Sequence, residues 1–267
     1  TAPMPQNRNQ TMNQQNKFII IIPARYGSSR FPGKPLAKIG GVEMIVHVCR
    51  QASQVTDEVV VATDDTRIND CVEAVGFRAV MTSDKHRSGT DRVREAYEKS
   101  GSSANVIINI QGDEPFIEPR QIRQLMDCFD TPGTEIATLC RKFNPEKGFD
   151  ALFDPNLVKV TLSARGEALY FSRSIIPYVR GVDCAQWLAA ADFHTHIGIY
   201  AYRSDVLAQI TDLPQSPLEK AESLEQLRWL ENGYRIRIAV SKYDTIGIDT
   251  PDDLAAAERH WSATRSH

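Results

Sequence analysis

The sequence predicts an α/β fold in three layers, α/β/α, around a sheet that begins parallel and becomes mixed. Three observations carry this. Strand-like and helix-like runs alternate through the first half of the chain. The first strand-like run, Lys17 to Ile22, is apolar on both faces, as a strand covered by helices on both sides must be. After about Gly133 strands follow one another without long helices between them, which points to an antiparallel or mixed extension of the same sheet.

In order, Glu43 to Ser53 places Ile45, Val48, Cys49 and Ala52 at helical spacing. Strand Glu58 to Thr63, a helix near Arg67 to Val75 and strand Phe77 to Thr82 follow. Helix Thr90 to Lys99, strand Asn105 to Gln111 and helix Pro119 to Phe129 complete the parallel half, with right-handed crossovers. EIATLCRK, VKVTLS, ALYFS and HIGIYAY are the later strands. Ser216-Pro217-Leu218-Glu219 is a capping box with proline at the first helical position, opening a helix to about Glu231. Strand Arg235 to Ser241 precedes a last helix, capped by Thr250 with Asp252 and Asp253 in its first turn. No repeat and no linker rich in Pro, Gly or Ser divides residues 17–267, so a single domain is expected. The polar, aperiodic residues 1–16 read as a disordered arm, with no signal peptide ahead of the first strand.

At 267 residues, with 42% apolar and 24% charged side chains, the chain can bury a sizeable core. The formal charge of −3 leaves no basic field for nucleic acid, and no apolar run nears the roughly 20 residues of a membrane span. The five cysteines are scattered without a C-x-x-C pair, as free thiols in a reducing cytoplasm would be.

Three motifs carry chemistry. PARYGSSRFPGKPL leaves the first strand at its carboxyl end, where open α/β sheets bind ligands. It sets Arg25, Arg30 and Lys34 on a loop bent by Gly27 and Gly33, the point charges and free N–H groups a triphosphate needs. It is neither a Walker loop nor G-x-G-x-x-G. QGDEP places Asp113 after a second strand on the same edge, where it can bind Mg²⁺ beside phosphates or cap a turn. GIDTPDDL offers Asp249, which the capping Thr250 leaves free for a metal. Lesser candidates are Asp64 and Asp65 of TDD, most simply a turn and helix cap, and His194 with His196, which lack a third zinc ligand. Ser88 and Gly89 open a helix whose N–H groups could read a base or phosphate, and Glu225, Gln226 and Arg228 share a helix face.

With VATDD, SGTDR, NIQGDEP, ALYFSRSIIP, HIGIYAYR, SPLEKAESLEQLR and GIDTPDDL, the chain resembles the bacterial 3-deoxy-manno-octulosonate (Kdo) cytidylyltransferases from about Lys17 to Leu254. The resemblance implies a nucleotidyltransferase-type, Rossmann-like fold and the reaction CTP + Kdo → CMP-Kdo + pyrophosphate with Mg²⁺, in a cytoplasmic homodimer serving lipopolysaccharide biosynthesis. By motif position it implies Arg25 and Lys34 on the triphosphate with Arg30 near, and Thr82, Ser88, Gly89 and Gln111 at the nucleotide. Asp113 and Asp249 would hold the metal, with Arg25, Lys34 and Asp113 as the catalytic set. Arg173, His196, Tyr200, Glu225 and Gln226 would meet the sugar acid, and residues 170–205 would include a dimerisation segment. Another sugar acid, a glycosyltransferase built on Asp64 and Asp65, and a silent nucleotide-binding module remain as alternatives.

Overall fold

The computed structural model describes residues 16–27, 31–243 and 247–264. Its first half runs β1 (Phe18–Ala24), the paired short strands β2 (Lys38–Ile39) and β3 (Val42–Glu43), α1 (Met44–Ala52), β4 (Val59–Thr63), α2 (Thr66–Ala74), β5 (Arg78–Met81), α3 (Gly89–Ser100), β6 (Val106–Asn109) and α4 (Pro119–Asp127). The second half runs β7 (Ile136–Lys142), α5 (Phe149–Leu152), β8 (Lys159–Leu162), β9 (Ala168–Ser172), α6 (Trp187–Ala190), β10 (His194–Arg203), α7 (Ser204–Thr211), α8 (Pro217–Glu222), α9 (Glu225–Glu231), β11 (Ile236–Val240) and α10 (Pro251–Thr264). The predicted element types are all present, with ends moved by a residue or two.

One sheet orders its strands β11-β7-β10-β6-β1-β4-β5, with β8 beside β10 and β9 beside β8. β1 is parallel to both β4 and β6, whereas β10 is antiparallel to β6 and β7, so the sheet is mixed as expected. The strand order reverses at β1, and that switch point opens a crevice at the carboxyl ends of β1 and β6. Strand pleating sends Ile20 and Ile22 into one core and Ile19 and Ile21 into the other, giving two cores of buried aliphatic residues on opposite faces. A third, smaller core gathers Ile39, Met44, Ile248 and Ala257 with Phe31, Phe116 and Trp261. It bundles the basic loop, the turn after β6 and the start of α10 at the crevice.

Two expectations change. The helix expected from Ser216 to Glu231 is two helices, because Ser223 adopts a left-handed conformation at φ 51°. No Gly or Pro marks the break. The carbonyls of Glu222 and Ser223 accept instead from the Arg173 guanidinium, at 2.6 and 3.3 Å. The expected arm loses its last residue: Asn16 donates to the Phe129 carbonyl and accepts from Arg203. Residues 1–15 lie outside the described residues. β10 pairs with β6, β7 and β8 in the sheet interior.

Candidate active site

Tight local geometry fixes the crevice floor. Gly33 adopts φ 70° with its amide on the Tyr26 carbonyl, folding the basic loop back on itself and delivering Lys34 at the start of a single 3₁₀ turn. Gly112 allows the turn after β6 to press on β1: a Cβ there would sit 3.0 Å from the Pro23 carbonyl oxygen. The Ile248 amide donates to the Asp113 carbonyl at 3.0 Å, which ties the approach to α10 onto that same turn. Thr250 caps α10 through its Oγ1, and Asp253 accepts from the amides of Asp249 and Thr250.

These contacts bring three sequence motifs to one point. Lys34 Nζ lies 2.6 Å from Asp113 Oδ2 and 3.3 Å from Asp249 Oδ1. Around this trio is a cleft of about 260 Å³. Arg25, Arg87 and Arg92 line it, and so do Ser88 and Gly89 at the N-terminus of α3, and Gln111. Twelve residues of α3 direct a partial positive charge and free amides at the cleft, and Ser88 Oγ already satisfies the Asp91 amide. The arrangement suits a polyanion.

The acidic pair also fits a hard divalent ion. Among the described residues no cluster of three or more His, Cys, Asp and Glu could hold a metal. Two carboxylates beside a phosphate-binding surface match the needs of Mg²⁺, which takes one or two carboxylates and completes its octahedron with waters and substrate phosphates.

Residues that sequence reasoning passed over also shape the cleft. Arg92 is buried and donates to Asp64 and to Thr82, both at 2.6 Å. Thr82 thus shapes the site through Arg92, and Asp64 anchors an arginine. Asp65 caps α2, the simpler of its two expected roles. Glu95 accepts from the Ser83 amide, Lys99 and His86, tying the loop before α3 to that helix. Burial alone would raise the Glu95 carboxyl, but hydrogen bonds from Lys99, Ser83 and His86 outweigh it and hold it at about 2. Burial and the neighbouring Asp113 push Glu114 up to about 8. Arg92 and His86 flank the highlighted Ser88–Gly89 pair, but their orientation was not legible without the fold.

The core on the α3 side of the sheet holds an aromatic group. Tyr200 and Tyr202 stack with ring centres 5.9 Å apart, and both meet the Trp229 ring edge-on. The Tyr200 hydroxyl and Trp229 Nε1 are buried without a protein hydrogen-bond partner, and the Tyr202 hydroxyl has Thr90 and Asn109 as neighbours. His196 bonds Thr138 Oγ1 at 2.9 Å and packs against Phe171 and Tyr200. Thr90 Oγ1 donates to Glu225 Oε2, and Arg228 pairs with both Glu219 and Glu225. Burial pushes the Glu225 carboxyl up, opposed by Thr90 and Arg228.

Residues 19–238 match the cytidylyltransferase family. The chain is 58% identical over 242 residues to the 3-deoxy-manno-octulosonate cytidylyltransferase of Parabacteroides distasonis, covering 90% of this chain and 96% of that protein. The chain belongs to the 3-deoxy-manno-octulosonate cytidylyltransferase family. A relative from Thermodesulfovibrio yellowstonii is 47% identical over 249 residues, covering 90% of this chain and 96% of its own length. The solved structure of CMP:2-keto-3-deoxy-manno-octonic acid synthetase complexed with CTP superposes with a TM-score of 0.84 at 45% identity, covering 94% of this chain and 99% of that one. At 13% identity and a TM-score of 0.59, 4-diphosphocytidyl-2C-methyl-D-erythritol synthase from Anaerococcus prevotii shares the fold alone.

Of the site residues expected in this cytidylyltransferase, Arg25, Lys34, Ser88, Gly89, Gln111, Asp113 and Asp249 line one cleft. Arg30 lies outside the described residues. His196 and Tyr200 pack together, and Glu225 joins the start of α3, while Gln226 is buried on α9. Arg173 does not line that cleft. Its guanidinium donates to the carbonyls of Pro155, Glu222 and Ser223, so the structure gives it the job of clamping β9 to the break between α8 and α9.

Proposed function

We propose that the chain activates Kdo with CTP, giving CMP-Kdo and pyrophosphate. The observation that supports this most is the convergence of the Lys34 loop, the Asp113–Asp249 pair and the α3 N-terminus on one cleft at the sheet's switch point. The anomeric hydroxyl of Kdo attacks the α-phosphorus of CTP, and the bond to the β-phosphate oxygen breaks. Both reactants are anions. Arg25 and Lys34 offset their repulsion and stabilise charge developing on the leaving pyrophosphate. The amides of Ser88 and Gly89 and the Gln111 side chain hold the nucleotide. Asp113 and Asp249 would hold Mg²⁺, which would neutralise phosphate charge and orient the attacking oxygen.

The sugar acid lies against the aromatic group. Tyr200 would face it, and the core residues Tyr202 and Trp229, 0% and 1% exposed, only back the Tyr200 ring. Glu225 and Gln226 complete that side. The enzyme works as a homodimer in the cytoplasm, feeding lipopolysaccharide assembly. No described helix is long and apolar enough to cross a membrane. The dimer reading rests on an apolar groove lined by Phe149, Phe153, Ile175, Tyr178 and Trp187, where Phe153 is 65% and Tyr178 74% exposed.

Pyrophosphate release from CTP, measured with and without Kdo and across a panel of sugar acids, tests the reading. Release that depends on Kdo above all other acids is the expected result. Release without any sugar acid, or with sialic acid alone, would overturn it.

A further inference from the structure

Lys34 touches the two acids of the candidate metal site, not only the space where phosphates would bind. Its ammonium lies within hydrogen-bonding distance of Asp113 Oδ2 and ion-pairing distance of Asp249 Oδ1. The main chains around this trio are pinned. Gly33 and Leu36 amides close the turn that carries Lys34, and the Ile248 amide fastens the approach to Asp249 onto Asp113. What remains adjustable is the lysine side chain, four methylenes with three donors on a compact charge. Two carboxylates held this near each other repel unless a cation lies between them. Only 14% of the Lys34 side chain is exposed, against 31% for Asp113 and 56% for Asp249. The lysine side chain is thus more buried than either acid it touches.

Resting on the reading of Asp113 and Asp249 as metal ligands, we infer that Lys34 is a resident counter-cation shared by the two acids and must release them when a divalent ion binds. An ammonium and a divalent cation on the same carboxylate oxygens repel each other, and the ammonium competes for their lone pairs. A triphosphate in the same cleft gives Lys34 a more highly charged partner. Nucleotide binding draws the lysine off the carboxylates, and the ion enters the space it leaves. Metal and nucleotide then bind cooperatively through one side chain, and by linkage each raises the affinity of the other. The acids stay neutralised throughout, first by the lysine and then by the ion.

Mn²⁺ binding to the nucleotide-free protein, read by electron paramagnetic resonance of the free ion, tests this without any turnover. Lys34→Met and Lys34→Gln should both bind Mn²⁺ about tenfold more tightly than the parent chain, within the usual range of such couplings. Asp113→Asn should lose that binding in both backgrounds. Equal or weaker Mn²⁺ affinity in both Lys34 variants, with Asp113→Asn still abolishing it, overturns the counter-cation role and leaves the metal site standing. Binding that survives Asp113→Asn sinks the metal-site reading itself. Absence of Mn²⁺ binding in folded Lys34→Met and Lys34→Gln proteins overturns the inference, since acids relieved of the lysine should hold the ion better.

Discussion

Thr90 Oγ1 donates to Glu225 Oε2 across 2.7 Å, joining residues 135 positions apart. Thr90 is the second residue of α3, next to Gly89 in the cleft, and Glu225 opens α9. One hydrogen bond therefore links the start of α3, at the cleft, to the start of α9. Thr90→Val keeps the shape and removes the donor. A lost hydrogen bond to a charged group costs about 1.5–3 kcal/mol, or roughly one to two decades in kcat/KM for Kdo. The KM for CTP should move much less. A variant with unchanged Kdo kinetics would show that the contact is scaffold only.

Asp113→Asn and Asp249→Asn keep shape and drop charge. Each should fold normally and lose turnover by about a hundredfold or more, the scale of losing one preorganised electrostatic group. Mg²⁺ titrations of activity should shift or flatten. The double variant should be little worse than the worse single one, because two acids acting on one ion behave as a unit. If Asp249→Asn lowers only the thermal midpoint, Asp249 serves the end of α10 and not the metal.

Arg173→Met separates a clamp from a ligand. The clamp predicts a loss of about 1–3 kcal/mol in stability as three carbonyls lose their donor. In urea melts the midpoint should fall, and activity at low temperature should largely survive. An intact midpoint with a steep rise in the KM for Kdo would instead place Arg173 on the sugar acid.

His196 gives a pH signature. Burial against Phe171, Tyr200 and Thr138 pushes its pKa well below the ordinary histidine value. Above about pH 6.5 both folded and unfolded chains hold this histidine neutral. Below that, the unfolded chain takes up a proton that the folded chain refuses. Stability should therefore fall with acidification by about 1.4 kcal/mol per pH unit from this group. His196→Gln should remove that part of the slope between pH 6.5 and 5. An identical slope in the variant would show that His196 protonates freely in the fold.

The helix caps show how far local chemistry reaches. Ser88, Ser216 and Thr250 each accept the amide three residues on, as their place before a helical run requires. Those contacts span one turn, so sequence displays them directly. The break at Ser223 was not legible, because its cause is Arg173, 50 residues away. Arg92 was likewise read only as part of a helix. Its two acceptors, Asp64 and Thr82, come from the ends of neighbouring strands that the sheet sets side by side.

The alternation of strands and helices, the mixed second half and the motifs at strand ends are legible in the residue order alone. These follow from side-chain periodicity and caps, which act over a few residues. Only the tertiary structure decided that Lys34 would bridge Asp113 and an acid 215 positions away, and that Glu225 would meet Thr90. Such meetings depend on strand order, on the reversal at β1 and on the small core that holds Phe31, Phe116 and Ile248 together. Their physical cause is burial of apolar surface from distant segments, and that fixes which polar groups are left facing one another at the crevice.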